Sequence, residues 1–331
     1  MAVPQTKNLT NLPEILPNLA LLTVHGEGRG GGESVARLIE TAYVERGVTL
    51  VVTTAREAKK ALLELKEHLL CSNGTVKRTS ALVLFSSGPR DLPLILFAIR
   101  HRIPFAVYMQ VPYTLAVTWR DPIHAIAVMV YVKVSSLASQ IRIANSETTA
   151  RSFSRPAEIV LPIIDLPEKS LPEDSPMQNS LCHDKNMVFV TACRLYPERG
   201  RGSKDLDALE QLLTECRALN AQGGIQYSVQ HYGDVDPQIC VRFAKYKDVL
   251  SFGGFNSNWL RDENGPFFFF SVYEGFGLSA YEAAQAGKPV FVNSAFPSDL
   301  TSLFSNIHFV HTGSHSYSIL KQMLNALSTY N

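Results

Sequence analysis

Apolar runs alternate with amphipathic segments along the first half of the 331-residue chain. Continuous apolar runs predict buried strands, and apolar residues at helical spacing predict helices. Such alternation is typical of a parallel sheet that is covered by helices on both faces. A long helical stretch is predicted at Pro122–Ile143. Strands are predicted at Leu19–Val24, Thr49–Thr54, Ala81–Phe85, Phe105–Met109 and Glu158–Leu161.

A proline-rich segment separates this pattern from a second one. Residues 161–186 contain four prolines and few large apolar side chains, a composition that interrupts both helices and strands. The same alternation then resumes, with predicted strands at 187–192, 225–232, 249–252, 267–272 and 289–293 and helices at 205–220, 278–286 and 317–328. The sequence therefore predicts an α/β protein with two Rossmann-like parallel-sheet domains, residues 1–165 and 187–331, joined by a linker at 166–186.

Composition and charge exclude several classes of protein. The chain is 46% hydrophobic and 18% charged, so it can bury a core, unlike a disordered chain. Its net charge of +1 excludes a globally basic nucleic-acid binder. The charge is unevenly distributed, because residues 1–160 carry 18 Lys and Arg against 12 Asp and Glu, whereas the remainder carries 13 against 18.

Cysteine usage and the start of the chain predict a cytoplasmic protein. The five cysteines are widely spaced and form no C-x-x-C pair, which argues against a disulfide framework or a structural zinc site. The first 20 residues lack the basic segment and apolar core of a secretory signal.

A glycine-rich turn follows the first predicted strand and opens a helix. Gly26, Gly28 and Gly31 satisfy the spacing G-x-G-x-x-G. A nicotinamide dinucleotide site would also need an acidic residue at the end of the next strand, and residues 53–56 (TTAR) contain none. Two other interpretations stay open: a tight strand-to-helix turn, or a backbone loop that faces the phosphate or sugar of a ligand.

The most informative segment lies in the second half, where a strand ends, a Glu-Gly-x-Gly turn follows and a helix begins. Glu274 precedes this helix and Glu282 lies about a turn inside it. Residues eight apart on a helix differ by about 80° around its axis, so this spacing suits contacts with two parts of one extended ligand better than a shared metal or proton. The amides of Gly275–Leu278 stand at a helix N-terminus, which favours a diphosphate.

This segment resembles the signature of the retaining GT-B glycosyltransferases of family 4, in which seven residues separate two glutamates. The matching positions are Ser271, Glu274, Gly275, Phe276, Gly277, Leu278, Glu282, Ala283, Ala286, Gly287, Pro289 and Val290. Upstream, Arg194 matches an arginine of the family, and Arg199 stands where the family usually has lysine, with Lys204 as a nearby substitute. The resemblance implies two Rossmann-like domains that face each other across a cleft.

The resemblance also implies a site and a reaction. Its implied catalytic residues are Glu274, Arg194 and Arg199, and its implied donor-binding residues are Glu282, Gly275, Phe276, Gly277, Leu278, Lys204, Gly30 and Gly31. The expected reaction moves a sugar from a UDP- or GDP-sugar to the hydroxyl of a sugar, lipid-linked or protein acceptor, with retention. We expect no metal and no other cofactor, because the arginines and the helix dipole would stabilise the leaving diphosphate. The near-zero net charge leads us to expect no nucleic-acid partner.

The chain differs from the family pattern at two positions, and one of its surfaces suggests a membrane partner. Gln110 stands where the family often has a histidine, which, with Arg199, supports an alternative: a non-catalytic GT-B-like partner or binding protein of a glycosylation system. The apolar stretch 123–132 and the cations Lys59, Lys60, Lys66, Lys77 and Arg78 predict peripheral contact with the inner face of the membrane. The alternative for that surface is a solvated face over a core helix.

Overall fold

The structure, a computed structural model, describes most of the chain. The described residues are 7–24, 31–54, 57–71, 82–113, 122–163, 186–197, 204–254, 259–262, 265–301, 303–312 and 318–330. The chain divides into two compact units, Met1–Leu166 and Pro167–Asn331. The predicted linker lies outside the described residues except for Asn186, which begins a strand.

The first unit is built on one parallel sheet. Its strands are β1 (Lys7–Asn8), β2 (Leu19–Val24), β3 (Val51–Thr54), β4 (Leu82–Phe85), β5 (Phe105–Met109), β6 (Ile141–Ala144) and β7 (Glu158–Leu161). Its helices are α1 (Leu12–Ile15), α2 (Gly31–Val44), α3 (Ala58–Cys71), α4 (Leu92–His101), α5 (Pro122–Ala138) and α6 (Glu147–Ala150). The seven strands pair in the order β1-β7-β6-β5-β4-β2-β3, and each pairing is parallel.

The end of the predicted helix at Pro122–Ile143 is wrong. Helix α5 ends at Ala138, and Ile141–Ala144 forms β6, which pairs with β5 on one side and β7 on the other. Only Ser139 and Gln140 separate the helix from the strand, and β6 lies between β5 and β7 in the middle of the sheet. Pairing with two neighbouring strands, a tertiary effect, decides the conformation of these residues.

The second unit repeats the architecture on a separate sheet. Its strands are β8 (Asn186–Ala192), β9 (Gln226–Tyr232), β10 (Leu250–Phe252), β11 (Phe267–Phe269), β12 (Val290–Val292) and β13 (Ile307–Phe309). Its helices are α7 (Leu206–Asn220), α8 (Pro237–Phe243), α9 (Trp259–Asp262), α10 (Leu278–Gln285), α11 (Ser298–Thr301) and α12 (Ile319–Leu327). The six strands pair in parallel in the order β10-β9-β8-β11-β12-β13. The predicted α/β class with two parallel-sheet domains is therefore confirmed.

The order of the strands reverses once in each sheet. In the second unit β9 and β10 extend the sheet on one side of β8, whereas β11, β12 and β13 extend it on the other. In the first unit the corresponding point lies between β2 and β4. Ligands of open α/β sheets bind outside the carboxyl ends of the strands at such a switch point. The residues that follow β8 and β11 are therefore where a site is expected in the second unit.

No helix in the described ranges combines the length and the apolar content that crossing a bilayer demands.

Candidate functional site

A lysine and a glutamate meet at the switch point of the second sheet. Lys204, on the connection from β8 to α7, donates a hydrogen bond from Nζ to Ser271 Oγ at 2.8 Å, and its Nζ lies 3.3 Å from Glu274 Oε2. The Lys204 side chain is 14% exposed and that of Glu274 is 21% exposed, so water screens their attraction only partly. Lys204 Nζ also lies 4.7 Å from the centre of the Phe269 ring, a cation–π contact.

The chain that follows β11 is fixed by a reciprocal pair of hydrogen bonds. The Ser271 amide donates to Asn293 Oδ1 at 3.3 Å, and Asn293 Nδ2 donates to the Ser271 carbonyl oxygen at 2.7 Å. Both residues are buried. Asn293 thereby positions the hydroxyl that contacts Lys204, although it was not among the predicted site residues. The available signal was a polar residue directly after the apolar strand β12.

The Glu-Gly-x-Gly turn places Glu274 beside the N-terminus of α10. Glu274 Oε1 accepts a hydrogen bond from the Gly275 amide at 3.1 Å. Gly277 is the N-cap residue of α10 and has a φ of +77°. Phe276 is buried, and its ring centre lies 5.3 Å from that of Tyr281. The first amides of a helix lack partners within the helix and carry the positive end of its dipole, so this turn can receive an anion through its backbone.

Gly277→Ala is expected to destabilise the second unit more than a matched glycine variant. A Cβ at position 277 would lie 2.8 Å from Cε2 of Phe296, in a backbone conformation that disfavours side chains. Gly223 has a similar φ of +80°, but a Cβ added there would have no atom within 4 Å, so Gly223→Ala carries the backbone strain alone. We expect the free energy of unfolding to fall by about 1–3 kcal/mol more in Gly277→Ala. Denaturant titration of both variants measures this difference, and equal losses would contradict the packing argument.

The other predicted site residues range from exposed to half-buried, and two of them lie outside the described residues. Glu282 is solvent-exposed on α10, yet partial desolvation of its carboxyl by surrounding protein atoms raises its pKa above the ordinary value. Arg194 is half-buried and lies one residue beyond Cys193, which directly follows β8. Arg199 and Gly30 lie outside the described residues, and Gly31 begins α2 in the first unit. Leu278, the first residue of α10, is half-buried.

The Cys193 thiol and the Tyr273 hydroxyl lie near the Lys204–Glu274 pair. Burial raises the pKa of the Cys193 thiol to about 11, with Lys204 lowering it and Glu274 raising it by smaller amounts. Burial and the nearby Glu274 carboxylate also raise the pKa of the Tyr273 hydroxyl. Both groups are therefore uncharged at neutral pH. Within the described ranges, no cluster of three or more His, Cys, Asp or Glu side chains could hold a metal ion.

A buried carboxyl lies at the switch point of the first sheet. Asp91 Oδ2 accepts hydrogen bonds from the Ser87 amide at 2.6 Å and from Thr23 Oγ1 at 3.2 Å. The Ser86 amide in turn donates to Thr23 Oγ1 at 3.0 Å. These bonds tie the end of β2 to the turn between β4 and α4. Burial raises the pKa of Asp91 to about 7, against the lowering effect of its two donors. Asp91 was not among the predicted site residues, although an aspartate directly before Leu-Pro is a helix-start signal.

Comparison with known proteins gives fold relatives only. No protein-family model matches the chain, and no curated protein sequence matches it. Among solved structures, Anabaena Alr3699/HepE in complex with UDP and glucose is 20% identical, with a TM-score of 0.60 over 94% of this chain and 91% of that one. Sucrose-phosphate synthase from Thermosynechococcus elongatus is 13% identical, with a TM-score of 0.61 over 94% and 89%.

A third solved structure is WaaG, a glycosyltransferase involved in lipopolysaccharide biosynthesis. It is 12% identical to this chain, with a TM-score of 0.58 over 94% of this chain and 90% of that one. Identities this low show shared architecture and leave activity to be argued from the site. The chain thus has the two-domain, parallel-sheet α/β fold of the GT-B glycosyltransferases.

Proposed function

We propose that this protein is a retaining glycosyltransferase of family 4 that moves a sugar from a UDP- or GDP-sugar to an acceptor hydroxyl, without a metal. The observation that carries the proposal is the Lys204–Glu274 pair at the N-terminus of α10, on the switch point of the second sheet. This place combines a cation, a carboxylate and helix-terminal amides. Those are the groups that a diphosphate linked to a sugar requires.

The leaving diphosphate is the part of the donor that Lys204 would contact. A nucleotide-sugar reacts by breaking the bond between the anomeric carbon and the diphosphate, which then carries additional negative charge. A half-buried ammonium and a helix N-terminus stabilise such charge before the reaction begins, which lowers the barrier. Arg194, which like Lys204 follows β8, would supply a second cation, and Arg199 would supply a third. These groups together take the place that a metal ion has in other diphosphate sites.

The two glutamates would hold the sugar parts of the donor. Glu274 offers carboxylate oxygens to sugar hydroxyls beside the diphosphate position, and Ser271 Oγ and the Gly275 amide already orient it. Glu282 stands on the exposed side of α10, where it can accept hydrogen bonds from ribose hydroxyls. HepE has been solved with UDP and with UDP-glucose, which supports a nucleoside-diphosphate sugar as the donor here. The acceptor would be a sugar, a lipid-linked molecule or a protein.

Nucleotide binding tests the proposal directly. One of UDP, GDP, ADP and TDP is expected to stabilise the protein, by about 2.7 kcal/mol at a hundredfold excess over its Kd. A thermal-shift panel that includes NAD measures this, followed by donor hydrolysis with the matching nucleotide-sugar. If none of the nucleoside diphosphates shifts the melting temperature, the transferase proposal is wrong and the non-catalytic alternative replaces it.

Glu282→Ala is expected to weaken binding of that nucleotide about tenfold or more. A hydrogen bond to a charged acceptor contributes about 1.5–3 kcal/mol, and Glu282 is proposed to accept from the ribose. Gln285→Ala is the matched control, because Gln285 is an exposed residue of the same helix with no proposed contact. Isothermal titration calorimetry of both variants measures the two affinities. Equal affinities in the two variants would remove the role assigned to Glu282.

A further inference from the structure

Helix α5 of the first unit exposes a row of large apolar side chains. The exposed fractions are 81% for Ile123, 55% for Ile126, 51% for Met129, 41% for Val130 and 50% for Leu137. At 100° per residue these five positions fall within about 120° of the helix circumference. Water therefore contacts a predominantly apolar stripe, whereas the exposed side of a helix in a soluble protein normally carries polar residues.

The opposite side of α5 belongs to the core. Ala125, Val128 and Tyr131 are fully buried. Because the buried side already holds the helix on the sheet, packing within this unit does not account for the exposed stripe. Helix α5 thus has a core side and an exposed side, and the exposed side is apolar without a packing requirement in this unit.

Helix α4 extends the apolar stripe of α5. It exposes Leu96 at 50% and Ile99 at 41%. The two helices meet near their C-terminal ends at a shallow depression of about 230 Å³, which is lined by Ile99, Arg102 and Ala138, among others. We call the exposed apolar residues of α4 and α5 together the apolar face.

The charges on these two helices have one sign. Neither α4 nor α5 contains an aspartate or a glutamate, whereas Arg100, Arg102 and Lys133 are exposed on or directly after them. Lys133 lies within the same arc as Ile126 and Val130. Arg102 has a φ of +55°, and it is the one described residue other than glycine with a positive φ. Glycine adopts that backbone conformation at a lower conformational free energy than arginine does. Arg102 therefore lowers the stability of the fold, and it places a cation beside the apolar face.

We propose that the apolar face docks on the surface of an anionic lipid bilayer. Its apolar side chains would enter the interface, and Arg100, Arg102 and Lys133 would contact lipid phosphates. A second copy of this chain fits less well, because a twofold dimer would bring the three cations against themselves with no acidic partner on either helix. The proposal goes beyond sugar transfer and does not rest on it.

Vesicle flotation with the whole chain tests the apolar part of the proposal. The protein is expected to float with vesicles that contain phosphatidylglycerol and much less with phosphatidylcholine alone, and binding should fall as salt rises. The double variant I126Q/M129Q is expected to lower the binding at least tenfold. Val241→Gln is the control, since Val241 is 77% exposed on α8 of the second unit. The proposal fails if wild type does not float with anionic vesicles, or if I126Q/M129Q floats as wild type does.

Arg102→Gly separates lipid contact from folding. Removing the strained side chain should leave the melting temperature equal or higher, while anionic-vesicle binding falls about fivefold, the effect expected of one cation near a bilayer. Unchanged vesicle binding in this variant would overturn the role of Arg102. Light scattering completes the test: a wild-type dimer that I126Q/M129Q converts to a monomer would assign the apolar face to a second copy and overturn the lipid proposal.

Discussion

Lys204→Met is expected to lower kcat for sugar transfer by about two to three orders of magnitude, the effect of removing one preorganised charge-stabilising group. Lys204 is the cation that the structure places against Glu274 and Ser271, and the leaving diphosphate gains charge in the transition state. The loss should therefore appear equally in kcat and in kcat/KM. Steady-state kinetics with the donor found in the nucleotide panel measures both constants.

Two controls separate chemistry from folding in this experiment. Lys321 is exposed on α12, so Lys321→Met removes a lysine of the same unit from a place outside the site. Lys204→Met leaves the half-buried Glu274 with the Ser271 hydroxyl and the Gly275 amide as donors, so we expect a stability loss of about 1 kcal/mol. The double variant K204M/E274Q should recover much of that stability without recovering activity. Wild-type kcat in Lys204→Met would refute the proposed role.

Asp91→Asn is expected to abolish a large pH dependence of the stability of the first unit. The pKa of Asp91 is about 7 in the folded protein and 3.8 for an unperturbed aspartate. About three pKa units at 1.36 kcal/mol each correspond to a free-energy change on the order of 4 kcal/mol. Asparagine keeps the oxygen that accepts from Ser87 and Thr23 and, like the protonated acid, carries no charge.

The direction of the effect follows from where the proton is bound. Between about pH 4 and pH 7 the folded protein holds the Asp91 proton, whereas the unfolded chain has released it. The contribution of Asp91 to stability is therefore complete below pH 4 and is lost as the pH rises through 7. Wild type should lose stability relative to Asp91→Asn over that range. Hydrogen exchange of the first-unit amides from pH 5 to pH 8, corrected for intrinsic rates, measures the difference.

His231 provides a contrast of opposite sign in the second unit. Burial lowers the pKa of His231 from 6.5 to about 4, so protonation favours the unfolded chain. The second unit should therefore gain stability as the pH rises from about 4 to 6.5, and Asp91→Asn should leave that gain unchanged. Parallel pH curves for wild type and Asp91→Asn in the first unit would contradict the assignment of the titration to Asp91.

Local sequence patterns were sufficient to predict the class of fold and the turn that carries Glu274. Strands such as Leu82–Phe85 and Phe105–Met109 lie where their apolar runs predict them, because a strand buried on both faces needs an unbroken apolar run. The turn at Glu274 is local as well, since Gly277 supplies the positive φ at which α10 begins. These features depend on residues close together in the chain.

Contacts between distant residues were beyond the reach of such patterns. The pairing of Lys204 with Glu274 joins residues 70 positions apart, and the Ser271–Asn293 pair joins the segments that follow β11 and β12. The predicted role of Arg199 stays a prediction, because that residue lies outside the described ranges. Asp91 in the first unit is a further case in which the local pattern is insufficient. Its sequence context indicates a helix start, and its raised pKa arises only because folding buries it beside Thr23.

The sequence by itself determined two parallel-sheet domains and a helix terminus that carries Glu274 and Glu282. The tertiary structure decided which cation meets Glu274, where α5 ends, and which apolar residues of that helix remain in water. The reason is physical. Periodicity and turn chemistry record what each segment requires of its own backbone, whereas exposure, ion pairing and proton affinity depend on atoms that folding brings from elsewhere in the chain.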